Sequence, residues 1–257
     1  MGFIVSKSCA LVSSHEFWSI TLCHIASFIQ TIGYILSQAA PKTQPLTRHS
    51  EWSRRGGITA RAVLIDYVAY AQKHDIKYSP VSRHEITISD VEKIAKDQGV
   101  EFKPADILII RSGWVQWYNQ ASEEDRIKYA KDGHEFAGLA GNRETVEWLW
   151  DHHFSAVAGD AIAFEAWPPQ APYSKFNLPF ALLWISVKRD GKGDADKGVG
   201  LHDHLLAMWG TPIGELWNLE ELAEVCKRDG KYSFFLTSAP LNVNGGVASP
   251  PNALAIL

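Results

Sequence analysis

From Trp52 onward, apolar β-branched runs alternate with capped amphipathic stretches, and this alternation constrains the fold more than any other feature of the chain. Arg61 to Asp66 (RAVLID) reads as a strand, and Tyr67 to His74 continues as a helix. Ser89-Asp90-Val91-Glu92 has capping-box spacing, in which a serine hydroxyl and a glutamate carboxylate accept hydrogen bonds from free backbone N–H groups. The helix it predicts runs to about Gln98, and Gly99 stops it. Asp106 to Arg111 (DILIIR) is a buried strand. Asn142 caps a helix that carries Val146, Leu149 and Trp150 on one face. Ser155 to Gly159 (SAVAG) is a further strand. Asn218 caps a helix through about Arg228, Gly230 ends it, and Lys231 to Leu236 (KYSFFL) is a strand. No fixed-period repeat or low-complexity stretch interrupts this order. The pattern predicts an α/β domain, not an all-α bundle or a sandwich.

The chain changes character near residue 48. Residues 1–40 hold Cys9 and Cys23 and a single acidic residue, Glu16. Ile20 to Leu36 (ITLCHIASFIQTIGYIL) is largely apolar, with Lys7 upstream and Ser37-Gln38-Ala39 downstream. Three readings compete. One is a secretory signal, with a weak basic start and small residues at its end. One is a membrane span, slightly short and interrupted by His24 and Gln30. The third is an extra helix, or a stretch foreign to the domain that follows. Pro41 to Arg48 (PKTQPLTR) reads as a linker, because two prolines in eight residues discourage helix and sheet. The expected organisation is a separate segment over 1–48 and one domain over 49–257.

Composition narrows the function classes. Hydrophobic residues make up 46% and charged residues 21%, which excludes a mostly disordered chain. Twenty-five basic and 29 acidic residues give a net charge of -4, so no positive excess invites nucleic acid or an anionic membrane. Membrane contact is expected only if residues 20–36 insert. Cys9, Cys23 and Cys226 cannot form a disulfide framework and match no zinc-ribbon spacing. That favours a reducing, cytoplasmic setting, with secretion or tethering through the first segment as the alternative. Ten tryptophans point to a large aromatic core or an aromatic-lined pocket.

Common catalytic signatures are absent: the chain has no P-loop, no Gly-x-Gly-x-x-Gly, no Gly-x-Ser-x-Gly and no His-Glu-x-x-His. The segment richest in chemistry is Leu201 to Glu221 (LHDHLLAMWGTPIGELWNLEE). His202, Asp203 and His204 stand together, and Glu215 follows. Imidazole and carboxylate suit zinc or manganese; the same residues also suit a helix start with solvated side chains. His152-His153 sits at a helix C-terminus, where the dipole favours imidazolium and a structural role. Arg111-Ser112-Gly113-Trp114 follows a strand and offers a polar pocket wall. Cys226 lies in an amphipathic helix and reads as structural.

From Ser50 to Leu257 the sequence resembles the cyclase family that includes metal-dependent kynurenine formamidases, most of all its fungal branch. The residues that carry the resemblance are Glu51 to Ile58 (EWSRRGGI), Arg61 to Tyr67, Asp106 to Trp114 (DILIIRSGW) and Ala158-Gly159-Asp160. The C-terminal strings are Leu201-His202, Ala207 to Glu215 (AMWGTPIGE), Thr237 to Leu241 and Gly245 to Ala253. The resemblance implies a mixed α/β sheet with a central β-barrel-like core and flanking helices, often dimeric. It implies an arylformamidase-like hydrolase of amide, formamide or ester bonds, of the kind used in tryptophan catabolism, acting on a small molecule with one or two zinc or manganese ions.

The family's C-terminal metal ligands match His202 and Glu215, with His204 as the alternative to His202. Its N-terminal half, of the type His-x-Gly-Thr-His-x-Asp followed by a proton-transferring histidine, has no match among His15, His24 and His49, so no catalytic residue is assigned. Asp160 is expected beside the site or in a capping role, and Trp114 and Trp167 as aromatic pocket walls or packing residues. The alternative function is a catalytically inactive member of the fold that binds a ligand or assembles.

Overall fold

The structure is a computed structural model that describes residues 56–168, 200–240 and 251–257. The segment 1–48, the apolar run 20–36, the linker 41–48 and the strings at 51–55 and 245–250 lie outside the described residues.

β1 (Ile58–Asp66) runs directly into α1 (Tyr67–Lys73), whose first turn is capped by Asp66 accepting from the Ala69 N–H. β2 (His84–Ile86) precedes α2 (Ile88–Asp97). β3 (Ile107–Arg111) leads into α3 (Trp114–Gln120) and α4 (Glu123–Arg126), which continues as a π-helical turn, Ile127–Lys131. β4 (Ala137–Leu139), α5 (Arg143–Asp151) and β5 (Ala156–Gly159) follow. After the second described stretch begins, a π-helical segment, Asp203–Trp209, precedes β5's neighbour β6 (Ile213–Gly214). α6 (Glu220–Asp229), β7 (Ser233–Ala239) and β8 (Asn252–Ile256) complete the order.

Six strands form one curled, half-barrel sheet in the order β6-β5-β3-β1-β7-β8. β6, β5, β3 and β1 are mutually parallel, whereas β7 and β8 add antiparallel pairs. Both faces of the parallel strands are covered, which is why they read as continuous apolar runs rather than alternating ones. On one face Val63, Ile65, Leu108, Ile110 and Val157 pack with α1, α2, α5, Leu201 and Leu205. On the other, Ala62, Leu64, Ile107, Ile109, Ala156 and Ala158 pack with Ala223 and Cys226 of α6 and with Phe234 and Leu236 of β7. A small second sheet pairs β2 with β4 in parallel, His84 opposite Ala137 and Ile86 opposite Leu139.

Three local expectations are corrected. The capping box of α2 starts at Thr87, whose hydroxyl accepts from the Asp90 N–H while the Asp90 carboxylate accepts from the Thr87 N–H. Ser89 is already inside the helix. The cap moved because Thr87-x-x-Asp90 closes the same reciprocal pair two residues earlier, which leaves Ile88 and Val91 to face the core. In α5, Asn142 caps as expected, but Trp150 is exposed and Trp148 turns inward instead. Trp148 lies against Phe102 and Phe154, and its indole N–H donates to Glu92. The N-cap of α6 is Leu219 and not Asn218, with no side-chain capping bond; Asn218 accepts from the Glu220 N–H, at 3.3 Å. Gly230 ends α6 at a positive φ of 62°, a conformation glycine adopts at no steric cost.

Candidate metal centre

The C-terminal ends of the parallel strands lie along one edge, where α/β sheets usually bind ligands. There β1 ends in Asp66, β3 in Arg111-Ser112, β5 is followed by Asp160, and β6 by Glu215. Asp66 and Arg111 are register partners, and the Arg111 guanidinium donates to Asp66 at 2.9 Å and to both Glu220 oxygens at 3.0 and 2.7 Å. Burial opposes the Arg111 charge, but Glu220 and Asp66 outweigh it and hold its pKa above the ordinary value. This ion pair ties β1, β3 and α6 together beneath the edge.

Asp160 is fully buried and accepts three hydrogen bonds: from the Ser112 N–H at 2.6 Å, the Ser112 hydroxyl at 2.8 Å and the Gly113 N–H at 2.7 Å. Burial pushes its carboxyl above the usual range, and the Ser112 and Gly113 donors partly offset that push. Its geometry is that of a clamp joining the turns after β3 and β5. Trp114 is also fully buried, stacked on Tyr118 at 5.3 Å, and packs in the core. Trp167 is half-buried, with its ring stacked near Phe136 at 6.4 Å. It sits on the short stretch that also carries Glu165.

His202 occupies the centre of the richest cluster. Leu201 and Leu205, four residues apart, are buried in the core and anchor the start of the π-helical segment, with His202 between them. Gly210, at φ 72°, ends the segment, and the Thr211 N–H donates back to the Leu205 carbonyl. The chain then enters β6, where Ile213 and Gly214 pair with Val157 and Ala158 of β5. Glu215 leaves that strand with its carboxylate 3.0 Å from His202 Nε2. The other ring nitrogen, Nδ1, lies 2.8 Å from a Glu165 carboxylate oxygen. Burial disfavours the His202 imidazolium, but Glu165 first and Glu215 second outweigh it and raise its pKa well above the ordinary value.

His204 is turned elsewhere. Its Nδ1 lies 3.1 Å from the Gly200 carbonyl, and its ring meets Trp209 edge-on. Of the two histidines, the fold brings His202 to Glu215. His152 bonds through Nδ1 to the Trp148 carbonyl and stacks on Phe154, in keeping with a structural role at the end of α5. Cys226 is buried, and its thiol is pushed up to about 12 by burial, then by the charges of Asp66 and Asp229.

Two groups escaped the reading of the sequence. Glu165 is a lone acid in an apolar stretch (AIAFEAW), and that isolation was the signal for it: a carboxylate in such a run is buried only with a partner. The other is a Tyr67–His84 pair, with the phenol oxygen 2.6 Å from Nε2 and Tyr78 stacked on the imidazole at 4.8 Å. Burial lowers the His84 pKa and raises that of Tyr67 to about 12. Nothing in the sequence links residues seventeen positions apart on two different elements.

The donors at His202 agree in kind with a divalent-metal site but not in number. One imidazole nitrogen and one carboxylate oxygen face each other, and Glu165 holds the far side of the ring instead of adding a third donor. Among the described residues no group of three histidine, cysteine or acidic side chains surrounds a common point. Among the described residues, too, no helix is long and apolar enough to cross a membrane.

A family model described as "Putative cyclase" matches residues 23–166. Its start falls inside the segment 1–48. No curated protein matches the sequence. Among solved structures, a protein described as a novel cyclase is 30% identical with a TM-score of 0.57, over 78% of this chain and 53% of that one. Isatin hydrolase A from Ralstonia solanacearum is 17% identical with a TM-score of 0.48, over 88% of this chain and 69% of that one. A potential metal-dependent hydrolase with cyclase activity is 14% identical with a TM-score of 0.40, over 81% and 75%. The chain thus spans about half the length of the novel cyclase it matches.

Proposed function

Because the chain belongs to the putative cyclase family, we propose that it is a metal-dependent hydrolase of an amide, formamide or ester bond in a small aromatic substrate, arylformamidase-like in its chemistry. The observation that carries this reading is the line Glu165–His202–Glu215, with His202 Nε2 and the Glu215 carboxylate meeting at 3.0 Å. His202 and Glu215 would hold the ion. When bound, a divalent ion polarises a carbonyl and makes water acidic enough to serve as a nucleophile near neutral pH. The protein's own part is orientation. Leu201 and Leu205 fix the turn that bears His202, β6 fixes Glu215, and the Asp160 clamp fixes the neighbouring strand-end turns. A half-buried Trp167 beside Glu165 suits an aromatic substrate.

A catalytic zinc usually has three protein ligands, and the described residues supply two. That shortfall favours a second reading, a non-catalytic member that binds a ligand or assembles, as a homodimer for example. Elemental analysis separates the two. After incubation with zinc or manganese and dialysis, the hydrolase reading expects about one ion per chain, turnover of formylated aryl amides or lactones, and loss of both in Glu215→Ala. Turnover that survives Glu215→Ala, or a chain that retains no metal, would overturn the metal assignment and leave the binding reading standing.

A further inference from the structure

Glu165 is flanked on both sides by backbone ties to β4. The Leu139 N–H donates to the Phe164 carbonyl, and the Ala166 N–H donates to the Leu139 carbonyl, so the residues on both sides of Glu165 are tied to β4. Phe136 and Trp167 then exchange a reciprocal pair of backbone hydrogen bonds. At Gly138 the two stretches touch. A Cβ there would lie 2.5 Å from the Glu165 carbonyl carbon, so only glycine permits this approach. The side chain that leaves this tie is 3% exposed, and its described partner is His202 Nδ1. His202, in contrast, opens an irregular π-helical turn, and Glu215 follows a strand of two residues.

A carboxylate can only accept, so the bond at 2.8 Å requires a proton on Nδ1. By the same rule the 3.0 Å contact with Glu215 places a proton on Nε2 in the metal-free protein, the proton that a cation bound there would displace. Ring orientation is thereby set from the Glu165 side of the imidazole, and Nε2 is turned to Glu215. We propose that Glu165 is the positioning residue of this centre: its carboxylate locks the His202 ring through an Nδ1–H bond and aims Nε2 at the place where a divalent cation would sit beside Glu215. The inference rests on the metal reading for its cation but not for the locking of His202. Donation from Nδ1–H to a carboxylate also makes Nε2 a stronger ligand, and loss of such a partner typically costs 10–100-fold in metal affinity.

The test uses the full chain as wild type, Glu165→Gln and Glu165→Leu. Histidines labelled with nitrogen-15 report which ring nitrogen of His202 carries a slowly exchanging proton in the metal-free protein, with His202→Asn used to assign the signal. Zinc affinity is measured separately by competition with a chromophoric chelator. The expected result is a protected Nδ1–H in wild type and in Glu165→Gln, whose amide oxygen still accepts, and its loss in Glu165→Leu. Zinc affinity should fall roughly 10–100-fold in Glu165→Leu and only a few-fold in Glu165→Gln. Circular dichroism checks that each variant is folded. If Glu165→Leu does not fold, the proton signal in wild type and its retention in Glu165→Gln decide the matter. A wild type without a protected Nδ1–H overturns the proposal, as does a folded Glu165→Leu that binds zinc as tightly as wild type; zinc bound equally by all three would leave the metal reading intact. A protected, Glu165-dependent Nδ1–H in a protein that binds no zinc upholds the locking of His202 and refutes the metal reading instead.

Discussion

Replacing Arg111 with methionine isolates the ion pair beneath the strand edge. Methionine keeps most of the apolar stem but removes the donors to Asp66 and to both Glu220 oxygens. The two acids respond differently. The Glu220 side chain is 26% exposed and can turn to water, so its loss is discounted heavily. Asp66 is 2% exposed and cannot, and it keeps only the Ala69 N–H that caps α1 and whatever water can enter. Stranding one charge of a buried pair costs about 3–5 kcal/mol. For a chain of this size that corresponds to a fall in Tm of roughly 6–20 °C. Urea unfolding at pH 7 with an unchanged m-value is the assay. The control is Asp66→Asn, which retains the capping oxygen and removes the charge. In the double variant the stranded charge is gone, so its loss of stability should be smaller than the sum of the two single losses by about 1–3 kcal/mol. A loss under about 1 kcal/mol in Arg111→Met, or strict additivity in the double variant, would falsify the argument that Asp66 depends on Arg111.

Further outcomes follow from other parts of the structure. His84 has its pKa lowered by burial, against the raising influence of Asp90 and Glu85. The unfolded chain therefore binds the extra proton first. Stability should fall as pH drops below about 6.5 towards the folded pKa, and His84→Gln should remove that part of the slope in urea titrations across pH 5–8. A thiol raised to about 12 leaves roughly a thousandfold less thiolate at pH 8 than an ordinary cysteine does. Peptide mapping after iodoacetamide treatment should find Cys226 unmodified in the folded protein and modified in urea. Gly214→Ala would place a Cβ 2.7 Å from the Trp217 indole, a clash inside a packed cluster. It should lower stability by about 1–3 kcal/mol, and an unchanged urea midpoint would show that the indole can move aside.

The sheet was legible because its strands are buried on both faces. Such strands must be apolar throughout, and Ala62 to Ile65, Ile107 to Ile110 and Ala156 to Ala158 announce themselves as runs. Helix ends were legible to within two residues, since several hydroxyls and acids near Thr87 compete to cap one helix, and only packing chooses among them. The face of α5 was misjudged because a tryptophan at either 148 or 150 satisfies the pattern. Phe102 and Phe154, from distant positions, select Trp148. At the candidate centre, His202 and Glu215 stood out because they lie close in sequence. Glu165 did not, because its meaning comes from a partner thirty-seven residues away. Aromatic richness was also ambiguous: Trp114 serves the core, which a count of tryptophans cannot distinguish from a pocket.

The place of β1 in the sheet sets an order of events for a growing chain. One of its edges is closed by β3, about forty-five residues later, so those two strands can meet early in synthesis. Its other edge is closed by β7, where Ile58 pairs with Ser238 and Val63 with Ser233. Those residues are made some 170 positions after their partners. Translation at about 5–20 residues per second leaves that edge open for roughly 10–35 seconds. Throughout that interval the backbone N–H and C=O groups of Ile58 to Val63 remain a template for any extended strand nearby. The same long-range pairing makes the sheet slow to complete once β7 has emerged. Yield on expression should accordingly depend on chaperone supply during synthesis, and refolding of the finished chain should suffer most at high protein concentration.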